Sequence, residues 1–279
     1  MAAGQPLSRL ALAAGSAADD VGYVALADIS QIMGKDVADY RVIGGHTITV
    51  LAARWRLGPE LYRETGDVDL GVPPVVARGH HLVDRLKAQG YDQVAGNRFA
   101  RTVPGMPVKV AGGHTAHRQA VIDVLVPAYT SRPRQNVKAS ENLVSTEVPG
   151  LADALARPPV IMTLELRRLN GDMLQATLPF ADEVSALVLK SLATRVRSKG
   201  TDITDIWRCL EIAFGAGSAP SDFTGGARPE AAAIARALFA RRQGPAMTTL
   251  ATEQRQSTQA ADQRFTRIQA LSTRVLGPG

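Results

Sequence analysis

Short apolar runs rich in Val and Ile alternate with turn residues in the first part of the chain, up to Pro179. Runs of this length and composition are typical of β-strands, and apolar residues at helical spacing between them indicate helices. The predicted strands are residues 40–46, 67–72, 99–103, 107–110, 120–126, 160–166 and 173–178. The predicted helices here are residues 23–33, 47–55 and 75–90. We expect a loose helix or frayed terminus up to Asp20, a loop from Thr130 to Pro149, and a hairpin turn at Asn170-Gly171.

After Pro179 the apolar spacing becomes helical to the end of the chain. Helices are predicted near residues 182–197, 202–214, 229–241 and 249–275. The pattern therefore predicts an α+β fold, with a mixed β-sheet and flanking helices followed by a C-terminal helical domain. We expect the first domain to span residues 1–180 and the second to span residues 181–279.

Composition narrows the class of protein. Apolar runs fall far short of the ~18 residues of a membrane span, and Arg9 interrupts the apolar start that a signal peptide needs, so we expect a cytoplasmic protein without a membrane partner. The single Cys209 permits no internal disulfide, and five scattered His residues with one Cys form no zinc motif. The net charge of +6, carried mostly by Arg, agrees with a polyanionic partner, although heavy use of Ala and Arg can also reflect coding bias.

Three aspartates lie in strands that are otherwise apolar. Asp67 and Asp69 are two residues apart, so the period of a strand places both on one face. Asp123 lies within the run Ala120-Val-Ile-Asp-Val-Leu-Val126, where an unpaired buried carboxylate would be costly. If the two strands are neighbours, three carboxylates converge, and a hard divalent cation, Mg²⁺ or Mn²⁺, would offset their repulsion. On its own, Asp67 could simply cap a turn after Gly66.

A glycine pair, Gly44-Gly45, stands between the strand that begins at Tyr40 and the helix that follows it. Unobstructed backbone N–H groups at a helix N-terminus suit a phosphate, although the pair could equally form only a tight turn. A phosphate site followed by an acidic metal site is the combination that in-line phosphoryl or nucleotidyl transfer requires. The order of the motifs therefore predicts an enzyme that uses a nucleoside triphosphate.

These motifs resemble a known superfamily. Ile43-Gly-Gly-His-Thr47, Thr65-Gly-Asp-Val-Asp-Leu70 and Val121-Ile-Asp-Val-Leu125 are similar to the nucleotidyltransferase fold of the DNA polymerase beta superfamily. More narrowly, Leu189-Lys-Ser-Leu-Ala193 and the stretch Arg197-Ser-Lys-Gly-Thr-Asp-Ile-Thr-Asp-Ile206 resemble a helical motif of AbiEii-type nucleotidyltransferase toxins, which include the MenT toxins. The resemblance spans about residues 40–215.

The resemblance implies a toxin of a toxin–antitoxin pair that transfers nucleotides from a nucleoside triphosphate to the 3′ end of tRNA and so blocks aminoacylation. A cognate antitoxin encoded nearby would be its partner. The resemblance implies that Asp67 and Asp69 bind metal and that Asp123, as third carboxylate, helps to deprotonate the acceptor hydroxyl. Gly44, Gly45 and His46 would contact the triphosphate. Lys190 would contact phosphate or the active-site carboxylates, with Asp205 as its acidic partner, and Arg197 could hold phosphate or lie on a solvated face. The chain departs from the family at His46, where Ser or Thr is usual.

Other interpretations of the same residues stay open. The acceptor could be a small molecule, as in antibiotic-modifying transferases, or a protein, because a fold does not determine its acceptor. The chain could also be a catalytically silent module that binds RNA or protein. Within the last motif, Asp202 is the better candidate for a helix N-cap and Asp205 for a functional acid.

Overall fold

The computed structural model describes residues 5–34, 40–109, 115–130, 132–197, 200–253 and 258–278. Its centre is a mixed β-sheet. The strands are β1 (Arg9–Ala13), β2 (Arg41–Ile43), β3 (Asp67–Gly71), β4 (Asp92–Gln93), β5 (Arg98–Lys109), β6 (Thr115–Pro127), β7 (Val137–Lys138), β8 (Val144–Val148), β9 (Val160–Arg167) and β10 (Met173–Phe180). Their order is β1-β9-β10-β2-β3-β6-β5-β4, with β8 paired to β6 and β7 paired to β8.

Helices flank the sheet and form the C-terminal part. They are α1 (Ala17–Met33), α2 (Gly44–Arg54), α3 (Pro74–Arg78), α4 (His80–Ala88), α5 (Leu151–Ala156), α6 (Glu183–Val196), α7 (Gly200–Gly215), α8 (Arg228–Leu238), α9 (Pro245–Glu253) and α10 (Thr258–Leu276). The expected α+β architecture, a mixed sheet with flanking helices followed by a helical part, is confirmed. Among the described residues, no helix combines the length and the apolar character needed to cross a lipid bilayer.

The two faces of the central strands have different neighbours. In β3 the apolar residues Val68 and Leu70 are fully buried, while Asp67 and Asp69 alternate with them and are partly exposed. Helix α1 packs on the apolar face, where its Asp28 pairs with Arg101 of β5 at 2.7 Å. Strand alternation therefore leaves the acidic residues of β3 on the opposite face, away from α1.

Several predicted elements differ from the structure in instructive ways. The opening residues contain a strand, because the alternating Leu10 and Leu12 are buried when β1 pairs in parallel with β9. The predicted helix 75–90 is wrong in being continuous, since Gly79 separates α3 from α4. The predicted strand 99–103 and residues 107–109 of the predicted strand 107–110 are parts of β5, which is irregular between Thr102 and Pro107. Val110 lies outside the described residues.

Two predictions toward the end of the chain are also corrected. The segment predicted as a loop from Thr130 to Pro149 includes the strands β7 and β8. The predicted helix 249–275 corresponds to α9 and α10, and residues 254–257 between them lie outside the described residues.

One hydrophobic core joins the sheet to the C-terminal helices. It contains sheet residues such as Val68 and Ile122 together with helical residues such as Leu187 and Leu210. Helix α2, which follows β2, contacts both α6 and α7. The helical part therefore lies near the end of the sheet at which β2 finishes. The boundary at residue 180 stays a prediction.

Candidate active site

Three aspartates share one face of two neighbouring strands. β3 and β6 pair in parallel, with Asp69 directly beside Asp123 and Asp67 beside Val121. The predicted adjacency of the two strands is therefore confirmed. Asp67, Asp69 and Asp123 all line a cleft of about 430 Å³. Asp67 also accepts a hydrogen bond from the Thr65 hydroxyl at 3.0 Å, which fixes its carboxylate at the start of the strand.

The shared face crowds negative charge. Burial and, after it, the neighbouring charge of Asp67 raise the pKa of Asp69 to about 6, against the opposing effect of Lys190. Burial also raises the pKa of Asp123, although Arg98 opposes that shift. Crowded carboxylates with raised pKa values bind protons or metal ions readily, because either one lowers their mutual repulsion.

Arg98 is a cation of this face that the sequence did not point to. Its guanidinium lies 3.3 Å from Asp123 Oδ2 and 3.7 Å from Asp67 Oδ2. In the arrangement seen, no three His, Cys, Asp or Glu side chains of the described residues are grouped so that they could hold a metal ion. Through these two ion pairs, the side chain of Arg98 neutralises part of the negative charge of Asp67 and Asp123. Its cross-strand position beside Asp123 could be found only from the register of β5 and β6.

Gly44 lies directly against Asp69. Its backbone has a φ of +76°, and a Cβ atom at this position would collide with the Asp69 carboxylate. Both the left-handed backbone and the close approach require glycine. Gly44 begins helix α2, and Gly45 follows it within the first turn, where a Cβ atom would lie 2.9 Å from Thr65. The first of the two glycines therefore shapes the acidic site, and the second accommodates Thr65.

Lys190 of helix α6 lines the same cleft as Asp67, Asp69 and Asp123. Its Nζ lies 2.7 Å from Asp205 Oδ2 and 3.4 Å from Asp202 Oδ1, and the three side chains are almost fully buried. The pairing of Lys190 with Asp205 that the resemblance implied is present. Asp202 is not an N-cap, because α7 already begins at Gly200.

Further arginines complete this cationic wall, which we define as Arg63, Lys190, Arg197 and Arg208 with the acids Asp202 and Asp205. Arg63 and Arg208 bind the two oxygens of Asp205 at 2.8 Å and 3.0 Å. Arg197 donates two hydrogen bonds to Asp202. Four cations against two acids leave the wall positive. Arg63, Lys190 and Arg197 line the same cleft as the aspartates.

His46 lies elsewhere. Its ring is buried against the backbone of Gly22 in α1, on the apolar side of the sheet, and its Nε2 has no hydrogen-bond partner among the residues that the structure describes. Burial lowers the pKa of His46 to about 4, so the ring is neutral at pH 7. The structure thus separates His46 from the other residues that were expected to contact the triphosphate.

A smaller, mostly apolar cavity of about 150 Å³ adjoins the cleft. Gly44, Asp69 and Lys190 border it on the side of the cleft. Most of its apolar lining comes from β6, β8 and α6, namely Leu125, Val148, Leu189, Ala193 and Val196. β8 lies in the segment predicted as a loop, so sequence reasoning missed this part of the lining.

No protein-family model matches the chain, and no curated protein matches it. Among solved structures, the chain is similar to an antigenic nucleotidyltransferase-like protein from Paracoccidioides brasiliensis, over 78% of this chain and 88% of that chain, with 18% sequence identity and a TM-score of 0.39.

Proposed function

We propose that the protein is a nucleotidyltransferase that uses Mg²⁺ or Mn²⁺ and a nucleoside triphosphate. The observation that carries the proposal is the pairing of two opposite surfaces across one cleft. Asp67, Asp69 and Asp123 form the acidic side, and the cationic wall forms the other. A metal-bound triphosphate has the matching distribution of charge, since its metal needs carboxylate oxygens and its phosphates need cations.

The donor atoms of the acidic side fit a divalent cation. Carboxylate oxygens are the ligands that Mg²⁺ and Mn²⁺ prefer. The pKa of Asp69 is raised by burial and by the charge of Asp67, and a bound cation would offset both effects. We expect Asp67, Asp69 and Asp123 to hold it. When bound, the ion would polarise the phosphate that receives the attack and favour the ionised form of the acceptor hydroxyl.

The chain's own residues supply the remaining steps. Lys190, Arg63 and Arg197 would neutralise the triphosphate oxygens from the opposite side of the cleft, and the acids Asp202 and Asp205 hold these cations in place. The acceptor oxygen bonds to the α-phosphorus while the bond from the α-phosphorus to the bridging oxygen breaks, and pyrophosphate leaves with that oxygen. Asp123 would receive the proton of the acceptor hydroxyl on one of its carboxylate oxygens.

The proposed acceptor is RNA, specifically the 3′ end of tRNA, and the proposed biological role is that of a toxin with a cognate antitoxin. Two observations support this choice. The motif around Lys190 and the stretch from Arg197 to Ile206 resemble a helical motif of AbiEii-type toxins, and the net charge of +6 favours a polyanionic partner. A small-molecule or protein acceptor is the alternative within the same chemistry.

Transfer of label from an α-³²P-labelled nucleoside triphosphate tests both the chemistry and the acceptor. The protein is incubated with Mg²⁺, each of the four labelled triphosphates and a cell lysate, and label is then measured in RNA, in protein and in small solutes. We expect label in RNA of tRNA length. Label that follows small solutes or protein would instead support the alternative acceptors.

Matched variants keep the experiment specific to the cleft. Asp69→Ala removes the acid beside Gly44 and is expected to abolish transfer. Asp84→Ala removes an exposed acid of α4 and is expected to leave transfer unchanged. Transfer retained by Asp69→Ala, or no transfer to any acceptor by the wild-type protein, would contradict the proposed function.

A further inference from the structure

Arg98 bridges two of the three acids that face the cleft. Its guanidinium contacts Asp123 at 3.3 Å and Asp67 at 3.7 Å, through different terminal nitrogens. The two contacts differ in exposure, because 12% of the Asp123 side chain and 42% of the Asp67 side chain are exposed. One cation thus neutralises part of both carboxylates.

The backbone of Arg98 is fixed by the sheet. Arg98 is the register partner of Asp123 across the antiparallel pair β5 and β6, so both side chains emerge on the same face. Its carbonyl accepts from Val94 N, and its own N–H donates to Ala95 O. The next residue, Phe99, is fully buried on the other face. These contacts keep the start of the Arg98 side chain next to the acids.

The guanidinium end of the Arg98 side chain can move away from Asp67 and Asp123. Of the Arg98 side chain, 44% is exposed, and its contacts with Asp67 and Asp123 are ion pairs at the border of the cleft. The pair with Asp67, exposed on both partners, contributes little stability, because water screens it and the long side chain loses rotamer freedom in forming it. A stronger ligand of the same oxygens can therefore displace the guanidinium at small cost.

We propose that Arg98 is an internal counter-ion of the acidic cluster, which a divalent cation must displace in order to bind. The inference rests on the proposed function, which assigns the metal to Asp67, Asp69 and Asp123. Guanidinium and metal ion compete for the same carboxylate oxygens, so each weakens the binding of the other. Arg98 thereby keeps the acids neutralised without metal and lowers the affinity of the site for the ion.

Metal binding without nucleotide tests this competition. Mn²⁺ alone is titrated into the wild-type protein and Arg98→Met, with binding followed by calorimetry and by the electron paramagnetic resonance signal of free Mn²⁺. Met keeps the apolar stem but removes the charge. We expect Arg98→Met to bind Mn²⁺ about fivefold more tightly, the order of magnitude that loss of a partly exposed ion pair gives. The matched control is Arg195→Met, which removes an exposed arginine that pairs with Glu230 away from the acids.

Arg98→Lys separates bridging from charge alone. Lysine keeps the positive charge but lacks the fork that reaches two carboxylates, so we expect an affinity between those of the wild-type protein and Arg98→Met. A tightening of less than twofold in Arg98→Met, or a tightening of equal size in Arg195→Met, would overturn the proposal.

A further test measures metal binding on the wild-type protein and uses a variant only to assign a signal. The ¹⁵N signal of the Arg98 side-chain Nε, assigned by its loss in Arg98→Lys, should shift when Mg²⁺ is added. An Nε signal that does not move at Mg²⁺ concentrations that saturate the site would overturn the proposal. The proposed function fails separately, if nucleotide transfer is absent, and its failure leaves these binding measurements readable.

Discussion

At the scale of single residues, the backbone and the surroundings of position 44 both require glycine. Its φ of +76° and its contact with the Asp69 carboxylate both exclude a Cβ atom. We expect Gly44→Ala to lower the free energy of unfolding by roughly 2 kcal/mol or more, because Ala adds a collision to the backbone strain. Nucleotide transfer should fall as well, since Asp69 must move. Urea unfolding and the transfer assay measure the two effects.

Gly90→Ala is the matched control for this variant. Gly90 has a similar φ of +87°, but a Cβ atom there would meet no atom of the described residues within 4 Å. Gly90→Ala should therefore cost only the strain of the backbone, about 1 kcal/mol, and leave transfer unchanged. Equal losses of stability in the two variants would show that the contact between Gly44 and Asp69 adds nothing.

His46 gives a pH dependence of stability with a definite sign. Burial lowers its pKa from 6.5 to about 4, so between these values the unfolded chain binds more protons than the folded one. Stability from the neutral ring is thus complete above pH 6.5 and is lost as the pH falls toward 4. From pH 8 to pH 5 the expected loss is about 2 kcal/mol, at 1.36 kcal/mol per pKa unit.

Comparison with His46→Gln isolates this contribution. Gln does not titrate, whereas the carboxyl groups of the cleft titrate in both proteins and cancel in the difference. Denaturant unfolding at pH 8, 6 and 5 should therefore show the wild-type protein losing about 2 kcal/mol more than the variant on acidification. Parallel stability curves for the two proteins would contradict the account of His46.

What the sequence revealed at this scale followed from chemistry that is visible locally. An acid such as Asp123 in an apolar strand is conspicuous wherever the strand lies, and so is a glycine pair before a helix. The contact of Arg98 with Asp123 was not predictable, since it depends on the pairing of two strands and not on a local pattern. His46 was misleading because its neighbours Gly44 and Gly45 suggested a ligand-binding turn, whereas the helix turns its ring into the core.

At the scale of secondary-structure elements, buried charge holds the helical part against the cleft. Asp205 of α7 is fully buried and pairs with Lys190 of α6, Arg63 and Arg208. Asp205→Asn keeps the shape but leaves these largely buried cations without their acid. We expect a loss of about 3–5 kcal/mol in the free energy of unfolding, as is typical when one partner of a buried ion pair is removed.

The control for Asp205→Asn is Asp262→Asn, which breaks the exposed pair between Asp262 and Arg242. Ion pairs of that exposure contribute about 0–1 kcal/mol, so this variant should unfold almost as the wild-type protein does. Thermal and urea unfolding measure both. A loss for Asp205→Asn no larger than that for Asp262→Asn would contradict the structural role of the buried network.

The elements that sequence reasoning missed are short and atypical in composition. β1 contains alanines, which are poor strand formers, and only the alternation of Leu10 and Leu12 indicates a strand. β8 buries Ser145, whose hydroxyl donates to Val124 O. The buried face of β8 is therefore not apolar in sequence, and no alternating pattern indicates a strand. Both strands depend on pairing with longer strands, β9 and β6, for their hydrogen bonds.

At the scale of the whole molecule, the order of β-rich and helical segments was enough to predict an α+β fold. The division into two domains is less easily predicted from that order. One hydrophobic core runs from the sheet into α6, α7 and α10, and the cleft lies where α6 approaches β3 and β6. The proposed site therefore combines parts of the chain that lie more than a hundred residues apart, such as Asp67 and Lys190.

The most direct test of the central claim is a crystal structure of the protein with Mn²⁺ and a non-hydrolysable nucleoside triphosphate. The anomalous signal of manganese locates the ion independently of the protein atoms. We predict a peak in coordination contact with Asp67, Asp69 and Asp123, with the triphosphate extending toward Lys190 and Arg197. Manganese bound away from these carboxylates, or a triphosphate outside the cleft, would contradict the account.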